Sequence, residues 1–487
     1  MNLKKLPIRM LLILLALACV LPAMVSCNNK KNKDAGTKKE EDTDVREYLD
    51  DLGEFDFGNQ TFKVLSVESK EGTYTRFDVK EESEDPVDAA VYKRNRIIES
   101  RFNIVLDGHT ETNYATCFEK LRNEAMAPTE GWDLIMLINR DAYTAISENM
   151  ICTPKDLKYI DMSKSYYLRD VNDALTINGV SLFAYSDESI YTFERSACIA
   201  FNKKMIEDEG MDNPYDLVDN NQWTYEKMFE MVVDGTKIDG EGKTSVWGCI
   251  GVADYAGVSF WLGCGQKLIT MNNARTQMKF EIDKNQNIQL ITNAMRTLQN
   301  NGNMLLEWNR GTNDDPWVEP FTSQGALFQN NIIGKIWLLR NVETFDYGVI
   351  PYPKLNTQQA DYYSRVVDAW LHVVPKTCTD IDRASVILEA LASGSSQYVF
   401  PAYYDKVLKY SVLRDEKSIE MLEIIRAHRV FDLADVTWHE TIRYNLDTKV
   451  FNENPTYNVV EFGQTYRPQL KPKIEAMLAM VEAMKES

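Results

Sequence analysis

The sequence predicts an α/β protein of two lobes, each an open mixed sheet flanked by helices, joined by a hinge that the chain crosses more than once. Three observations predict it. From Thr61 onward, short β-prone runs alternate with helical periodicity at the spacing of an open α/β sheet. The run Trp132–Ile138 is almost continuously apolar, as in a strand buried on both faces. Late in the chain, Tyr347–Ile350 and Trp370–Val374 stand on either side of Pro351 and Pro353, and a helix start follows at Thr379–Asp382. Proline lacks the N–H that a ladder needs, so these two runs read as the chain leaving a second lobe and returning to a sheet begun much earlier. The cleft between the lobes is the expected working part.

Taken in order, the chain opens with Lys4, Lys5 and Arg9 before the apolar run Met10–Leu21, which is short for a bilayer span but fits the core of an export signal. Met24-Val-Ser-Cys27 then resembles a bacterial lipoprotein signal, with Met where leucine is usual and Cys27 as the residue to be lipidated. Residues 1–26 are therefore expected to be a signal peptide. Residues 27–55, charged and poor in apolar side chains, are expected to be a disordered tether.

In the first lobe, Phe62–Val67 is a strand, and Asp85-Pro86 supplies a cap and first-turn proline to a helix with Val87, Val91, Ile98 and Phe102 on one face. Ile104–Leu106 is a second strand, Tyr114–Ala125 a second helix and Trp132–Ile138 the third strand, with Asn139 and Arg140 at its C-terminal end. Asn178-Gly179 marks a hairpin. Ser196–Asn202 is the first crossing into the second lobe, where Thr224 caps a helix. Val246–Met271, rich in glycine and aromatics, is poor helix material. The chain after Ala384 is mostly helical, its first helix ending at Gly394. The boundaries implied are 56–193 with 351–396 for the first lobe and 194–350 with 397–487 for the second, the hinge lying near 190–196 and 345–353.

The net charge of −19 argues against a nucleic-acid partner, because phosphate binding depends on clustered Lys and Arg, and it favours a neutral or cationic ligand. Cys117, Cys152, Cys198, Cys249, Cys264 and Cys378 show no zinc spacing and read as free, buried thiols, with Cys249 and Cys264 the one pair to check.

The lipobox at Cys27, Arg94–Ile104, Trp132–Ile135, Trp223–Met228, Ser323–Phe328 and Tyr347–Pro353 together resemble, in that order, the extracellular solute-binding proteins of ABC sugar importers. That resemblance runs from about Thr61 to Met484. It implies the type II periplasmic-binding-protein fold, a mono- or oligosaccharide ligand, a membrane permease as partner, a monomer, and an extracytoplasmic lipoprotein. The chain departs from it at Cys198–Asn202, where a tyrosine pair is more usual, and in the long polar stretch Ser411–Asp447.

Catalytic patterns are weak by comparison. His439-Glu440 lacks the second histidine of a zincin helix, and His109, His372 and His428 stand alone, as satisfied or surface histidines do. Gly257–Trp261 lacks the closing glycine of a nucleophile elbow. Asp283–Asn287 opens like a calcium loop but has Ile288 and Ala294 where glycine and glutamate belong. No catalytic residue, metal ligand or cofactor is assigned. Sugars are held by flat aromatic faces and by polar side chains for their hydroxyls. The expected ligand residues are Trp261 and Trp370 as opposite walls, Asp368, Asn139 and Arg140 beside them, and Tyr255, Trp317 and Glu319 nearby, with Trp308 across the acidic loop from Trp317. The competing expectations are an exported carbohydrate-active enzyme, for which no carboxylate pair stands out, and an all-helical glycan-binding lipoprotein, against which the strand runs speak.

Overall fold

The structure, a computed structural model, describes residues 47–68, 77–81, 83–307, 318–409, 413, 415–452 and 454–486. The signal segment, Cys27, Trp308 and Trp317 lie outside the described residues. The first sheet is built from β1 (Gln60–Val67), α1 (Pro86–Phe102), β2 (Ile104–Glu111), α2 (Tyr114–Met126), β3 (Leu134–Ile138) and α3 (Asn139–Ser147). Asp85 caps α1 by accepting from Val87 N, with Pro86 at the first helical position, as the sequence predicts. The second sheet takes β4 (Ala197–Asn202), α4 (Tyr225–Asp234), β5 (Thr244–Val252), α5 (Ala253–Gly263), α6 (Gln286–Asn300), β6 (Met304–Glu307), β7 (Ala326–Ile332) and β8 (Tyr347–Ile350). The chain then returns to the first sheet as β9 (Trp370–Val373) and continues through α7 (Ile381–Gly394), α8 (Phe400–Lys409), α9 (Glu416–Ala427), α10 (Leu433–Thr437) and α11 (Val459–Glu486).

Strand order in the first sheet is β9-β3-β1-β2, with β1, β2 and β3 parallel and β9 antiparallel to β3. In the second it is β6-β5-β7-β4-β8, with β5, β6 and β7 parallel and β4 antiparallel to both its neighbours. Both sheets are covered on two faces. Phe62 and Val64 of β1 pack with Ile98 and Phe102 of α1 and Ile387 and Leu391 of α7, while Leu65 and Val67 point the other way, toward Cys117 and Leu121 of α2. In β4, Cys198 and Ala200 face Leu422 and Ile425 of α9, and Ile199 and Phe201 face the opposite layer.

Three segments run side by side between the sheets. Ser196 bridges Val366, Val367 N donates to Arg195 O at 2.9 Å, and Val366 N donates to Val430 O at 3.0 Å. The first of these segments lies next to 190–196, and the return runs through Ser364–Ala369 and not through 345–353. The reason is local. The proline-broken stretch stays on the second sheet, because Trp223 Nε1 donates to Pro351 O at 3.0 Å, Tyr225 N to Lys354 O at 2.9 Å, and the fully buried Tyr352 fills the space beside Gly263.

Three other expectations change. The stretch assigned to the tether is already packed by Tyr48: Arg101 of α1 lies 3.8 Å from the Tyr48 ring and donates to the buried Asp50 at 2.7 Å. Val246–Met271 is mostly strand and helix, since Gly248, Gly251, Gly257 and Gly263 serve close packing and Gly265 alone makes a turn, at φ 70. A Cβ on Gly257 would sit 2.2 Å from the Phe451 ring. Gly394 is the last residue of α7 but does not stop the helical path, which continues through a π turn at Ser395–Val399 into α8; the glycine admits the buried Arg94, whose Nη1 donates to Ser395 Oγ at 2.8 Å. The six described cysteines are free and buried, Cys249 and Cys264 among them. Among the described residues, no helix is long and apolar enough to cross a membrane.

Gly257→Ala should destabilise the fold by about 1–3 kcal/mol through overpacking against Phe451, despite the better helix propensity of alanine. Gly240→Ala, which meets nothing within 4 Å, should stay within about 0.5 kcal/mol. Denaturant titration of both variants checks the contrast.

Candidate functional site

The parallel strands β1 and β3 of the first sheet and β5 and β7 of the second end at Val67, Ile138, Val252 and Ile332. Open α/β sheets place ligands at such carboxyl ends. Asn139-Arg140 and Ala253-Asp254-Tyr255 open the helices that follow two of these strands, and Trp370, paired with Ile138, begins the antiparallel β9 at the same edge.

There a continuous strip of rings and cations runs from one sheet to the other. The Arg140 guanidinium lies 4.9 Å from the Tyr114 ring. Tyr114 and Tyr191 stand edge-on to Trp370, at 5.7 and 5.3 Å. Arg195 lies 5.9 Å from the rings of both Tyr191 and Tyr255, and Lys335 lies 5.2 Å from Tyr255. Tyr114 opens α2, where the Asn113 side chain accepts from Ala115 N at 3.0 Å. Tyr114 is 39% exposed, while Trp370 and Tyr255 are 6% exposed. Trp370 Nε1 is buried and finds no hydrogen-bond partner among the described residues.

A buried ion network underlies the strip. Arg443 grips Asp254 through Nε at 2.7 Å and Nη2 at 2.8 Å, and reaches Asp368 through Nη1 at 2.6 Å. Arg195 donates to Asp368 at 2.7 Å. Arg365 holds Asp435 in two bonds of 2.8 Å and donates to Asp254 O at 2.6 Å. Burial opposes ionisation of Asp368, but Arg443 and then Arg195 outweigh it and hold its carboxyl far below the usual range. Asp447 goes the other way: burial, then the charge of Asp254, push it well above the usual value. Three arginines, Arg195, Arg365 and Arg443, thus face three aspartates, Asp254, Asp368 and Asp435. His439 is held below its usual value by burial, with Arg443 and Arg140 adding to the effect.

Of the residues expected from sequence, Trp370, Arg140 and Tyr255 come together in the strip. Asp368 is beside them, but both its oxygens are taken by arginines, so it positions Arg195 and Arg443 and is not free for a ligand hydroxyl. Asn139 is 4% exposed and ties α3 to α10, its Nδ2 donating to Val436 O at 3.0 Å. Trp261 is not a wall of the site. It is fully buried in α5, donates to Thr292 Oγ1 at 3.0 Å and packs edge-on against Phe451 at 5.0 Å. Glu319 is exposed in the short helix Val318–Thr322, which is anchored by Phe321 against Phe345. Sequence reasoning missed Tyr114, Tyr191, Arg195, Asp254, Lys335, Arg365 and Arg443. Strand ends flag Asp254 and Arg195, and the polar stretch Ser411–Asp447 supplies Asp435, Arg443 and Asp447, but nothing local in the sequence pairs them.

His372 is a satisfied core histidine. Its Nδ1 meets Glu188 Oε2 at 2.8 Å and its Nε2 meets Ser66 Oγ at 2.9 Å. The order is that of a serine triad, yet Ser66 is 1% exposed and no substrate can reach it. Among the described residues, no cluster of His, Cys, Asp or Glu is arranged to hold a metal.

Glu194 lies on the first crossing. Burial pushes it up to about 8, against its hydrogen bond with Tyr403 and the charges of Lys406 and Arg195. The folded state therefore binds this proton more tightly than the unfolded chain, whose carboxyl titrates near 4.5. Its contribution to stability is full below that value and is lost as pH rises toward about 8. Glu194→Gln should melt with wild type at pH 4 and a few degrees above it at pH 8.5; thermal melts at the two pH values check the sign.

No family model matches the chain, and no curated protein matches it. Among solved structures it is similar to UspC of M. tuberculosis, with a TM-score of 0.56, 13% identity, and coverage of 84% of this chain and 98% of that one. It is also similar to an ABC substrate-binding protein of Listeria monocytogenes in complex with cycloalternan, with a TM-score of 0.53, 12% identity, and coverage of 86% and 99%. A third is a sugar transporter of Rhizobium etli in an open conformation, with a TM-score of 0.56, 13% identity, and coverage of 84% and 99%. This likeness shows the fold: the chain has the type II periplasmic-binding architecture.

Proposed function

We propose that the chain is a solute-binding protein of an ABC importer that takes a mono- or oligosaccharide between its two sheets. The observation that carries the reading is the strip from Arg140 through Tyr114, Trp370, Tyr191, Arg195 and Tyr255 to Lys335. It puts aromatic rings and hydrogen-bond donors from both sheets at the edge where such sheets bind ligands. The Listeria relative in fold was solved in complex with cycloalternan, which supports a sugar. The role needs no bond chemistry. A ligand that touches both sides shifts an open–closed equilibrium by its differential affinity, and a micromolar constant, about −8 kcal/mol, suffices for capture and release to a permease.

Tyr114, exposed at the rim, is the ring best placed to stack on a sugar. Tyr114→Ala should weaken binding roughly tenfold and leave melting almost unchanged, since a stacked ring contributes on the order of 1 kcal/mol beyond its area. Trp370→Phe keeps the ring packing, removes the unpartnered N–H, and should also weaken binding. Calorimetry against a panel of mono- and oligosaccharides measures both variants, and chromatography of the recovered ligand shows whether it returns intact. Cleaved glycan would replace the receptor reading with the enzyme. Compaction on binding, measured by X-ray scattering, tests the closure.

The anchor belongs to the same reading: an exported chain whose Cys27 carries lipid at the outer face of the cell membrane. Cys27→Ala should release the protein from the membrane fraction or leave it unprocessed. Unchanged fractionation would remove the lipoprotein assignment and leave the binding role untouched.

A further inference from the structure

A cavity of about 470 Å³ shares no lining residue with the aromatic strip. It lies among the hairpin of strands Ile269–Met271 and Met278–Phe280, the crossing segment at Asp432, and Ala174. Its size is that of a small-molecule site.

Four side chains of its wall, Asp432, Asn272, Asn285 and Gln266, have acceptors already engaged. Asp432 Oδ2 takes Leu268 N at 2.7 Å and Ile269 N at 3.1 Å, and its Oδ1 takes Ala434 N at 2.8 Å and Asp435 N at 3.4 Å. Asn272 Oδ1 takes Thr276 N and Gln277 N, at 2.8 and 3.0 Å. Asn285 Oδ1 caps α6 by accepting from Asn287 N and Ile288 N, and Gln266 Oε1 accepts from Asn285 Nδ2 at 3.1 Å.

What remains unspent is donors. Arg275 gives Nη2 to Ala174 O at 3.0 Å, but its Nε is buried without a partner. Lys267 is exposed and has no ion pair or hydrogen bond among the described residues. Arg275 is also held at φ 54, a left-handed conformation that costs a non-glycine residue about 1–3 kcal/mol and persists where surroundings demand it. Asp173 is the acid whose charge acts on Arg275. A cavity with unspent cationic donors, and with its acidic lining residue Asp432 saturated by four backbone N–H groups, is complementary to an oxyanion.

We propose that this cavity binds a small molecule carrying an oxyanion, a carboxylate or a phosphate, with Arg275 and Lys267 as its charged contacts. The site is independent of the sugar reading above. Because Arg275 also accepts from Asn178 N at 3.2 Å, an occupant would rest on a residue that ties Ala174 and Asn178 to the hairpin.

The test is calorimetry on the mature chain with glucuronate as the carboxylate, glucose 6-phosphate as the phosphate, and glucose as the neutral comparator. At least one anion should bind, weakening with salt, while glucose binds this cavity at least tenfold less tightly. Arg275→Gln and Lys267→Gln should each weaken the anion roughly tenfold, and Tyr114→Ala should leave it unchanged. Lys267 is exposed, so its variant keeps the test valid if Arg275→Gln fails to fold. The proposal is overturned if neither anion binds, if Lys267→Gln binds as wild type does, or if the anion is lost in Tyr114→Ala and kept in both charge variants.

Discussion

Arg443 reaches two aspartates that enter from different directions: Asp254 from the start of α5 and Asp368 from the last residues before β9. Asp368 in turn receives Arg195 from the first crossing, and Arg365 from the second crossing holds Asp435. The crossings at Arg195 and at Ser364–Ala369, together with Asp435 of α10, are thus tied into one ion network. Removing these charges from water is costly, and each is kept only because its partner is within hydrogen-bond reach. Loss of a single member, leaving its partner charged and buried, costs about 3–5 kcal/mol in comparable sites. Asp447 shows the same cost from the other side: burial, then the charge of Asp254, push its carboxyl well above the usual value.

This network also decides which side chains are left for a ligand. With Asp368 and Asp254 taken up, the groups at the strand ends are rings and cations stacked on one another, from Arg140 to Lys335. A surface of that kind offers flat faces and donors, and relies on few ionised acceptors. The cavity at Arg275 shows the same bias by a different route, since backbone N–H groups saturate its aspartate. An acidic protein can therefore carry local sites short of acceptors, and the net charge of −19 says little about either one.

The aromatic side chains in Val246–Met271 show how packing overrides local composition. Glycines at 257 and 263 let Phe451 and Tyr352 approach α5 closely, and Trp261 then packs against Phe451 with its N–H on Thr292. The same residues read locally suggest a loop with an indole waiting for a ligand. Gly394 makes the same point, for it admits Arg94 where a helix stop was expected. A glycine has the same appearance in sequence whether it turns the chain or makes room for a neighbour, and the neighbour here is distant along the chain.

Sequence alone determined the class of fold, the two-sheet plan and most strands and helices. Apolar periodicity is a local signal, and both faces of each sheet are buried along runs as short as Leu134–Ile138. It also determined that Trp370 and Arg140 stand at strand ends, because the end of an apolar run is visible without a partner. Tertiary structure alone decided that Ser364–Ala369, and not the prolines at 351 and 353, carry the return crossing. It alone decided that Trp261 is core and that Asp368 belongs to two arginines. Each of these depends on contacts between residues far apart in the chain, such as Arg195 with Asp368 or Arg443 with Asp254. Charge pairing of that kind has no period and no fixed spacing, so it exists only once the chain is folded.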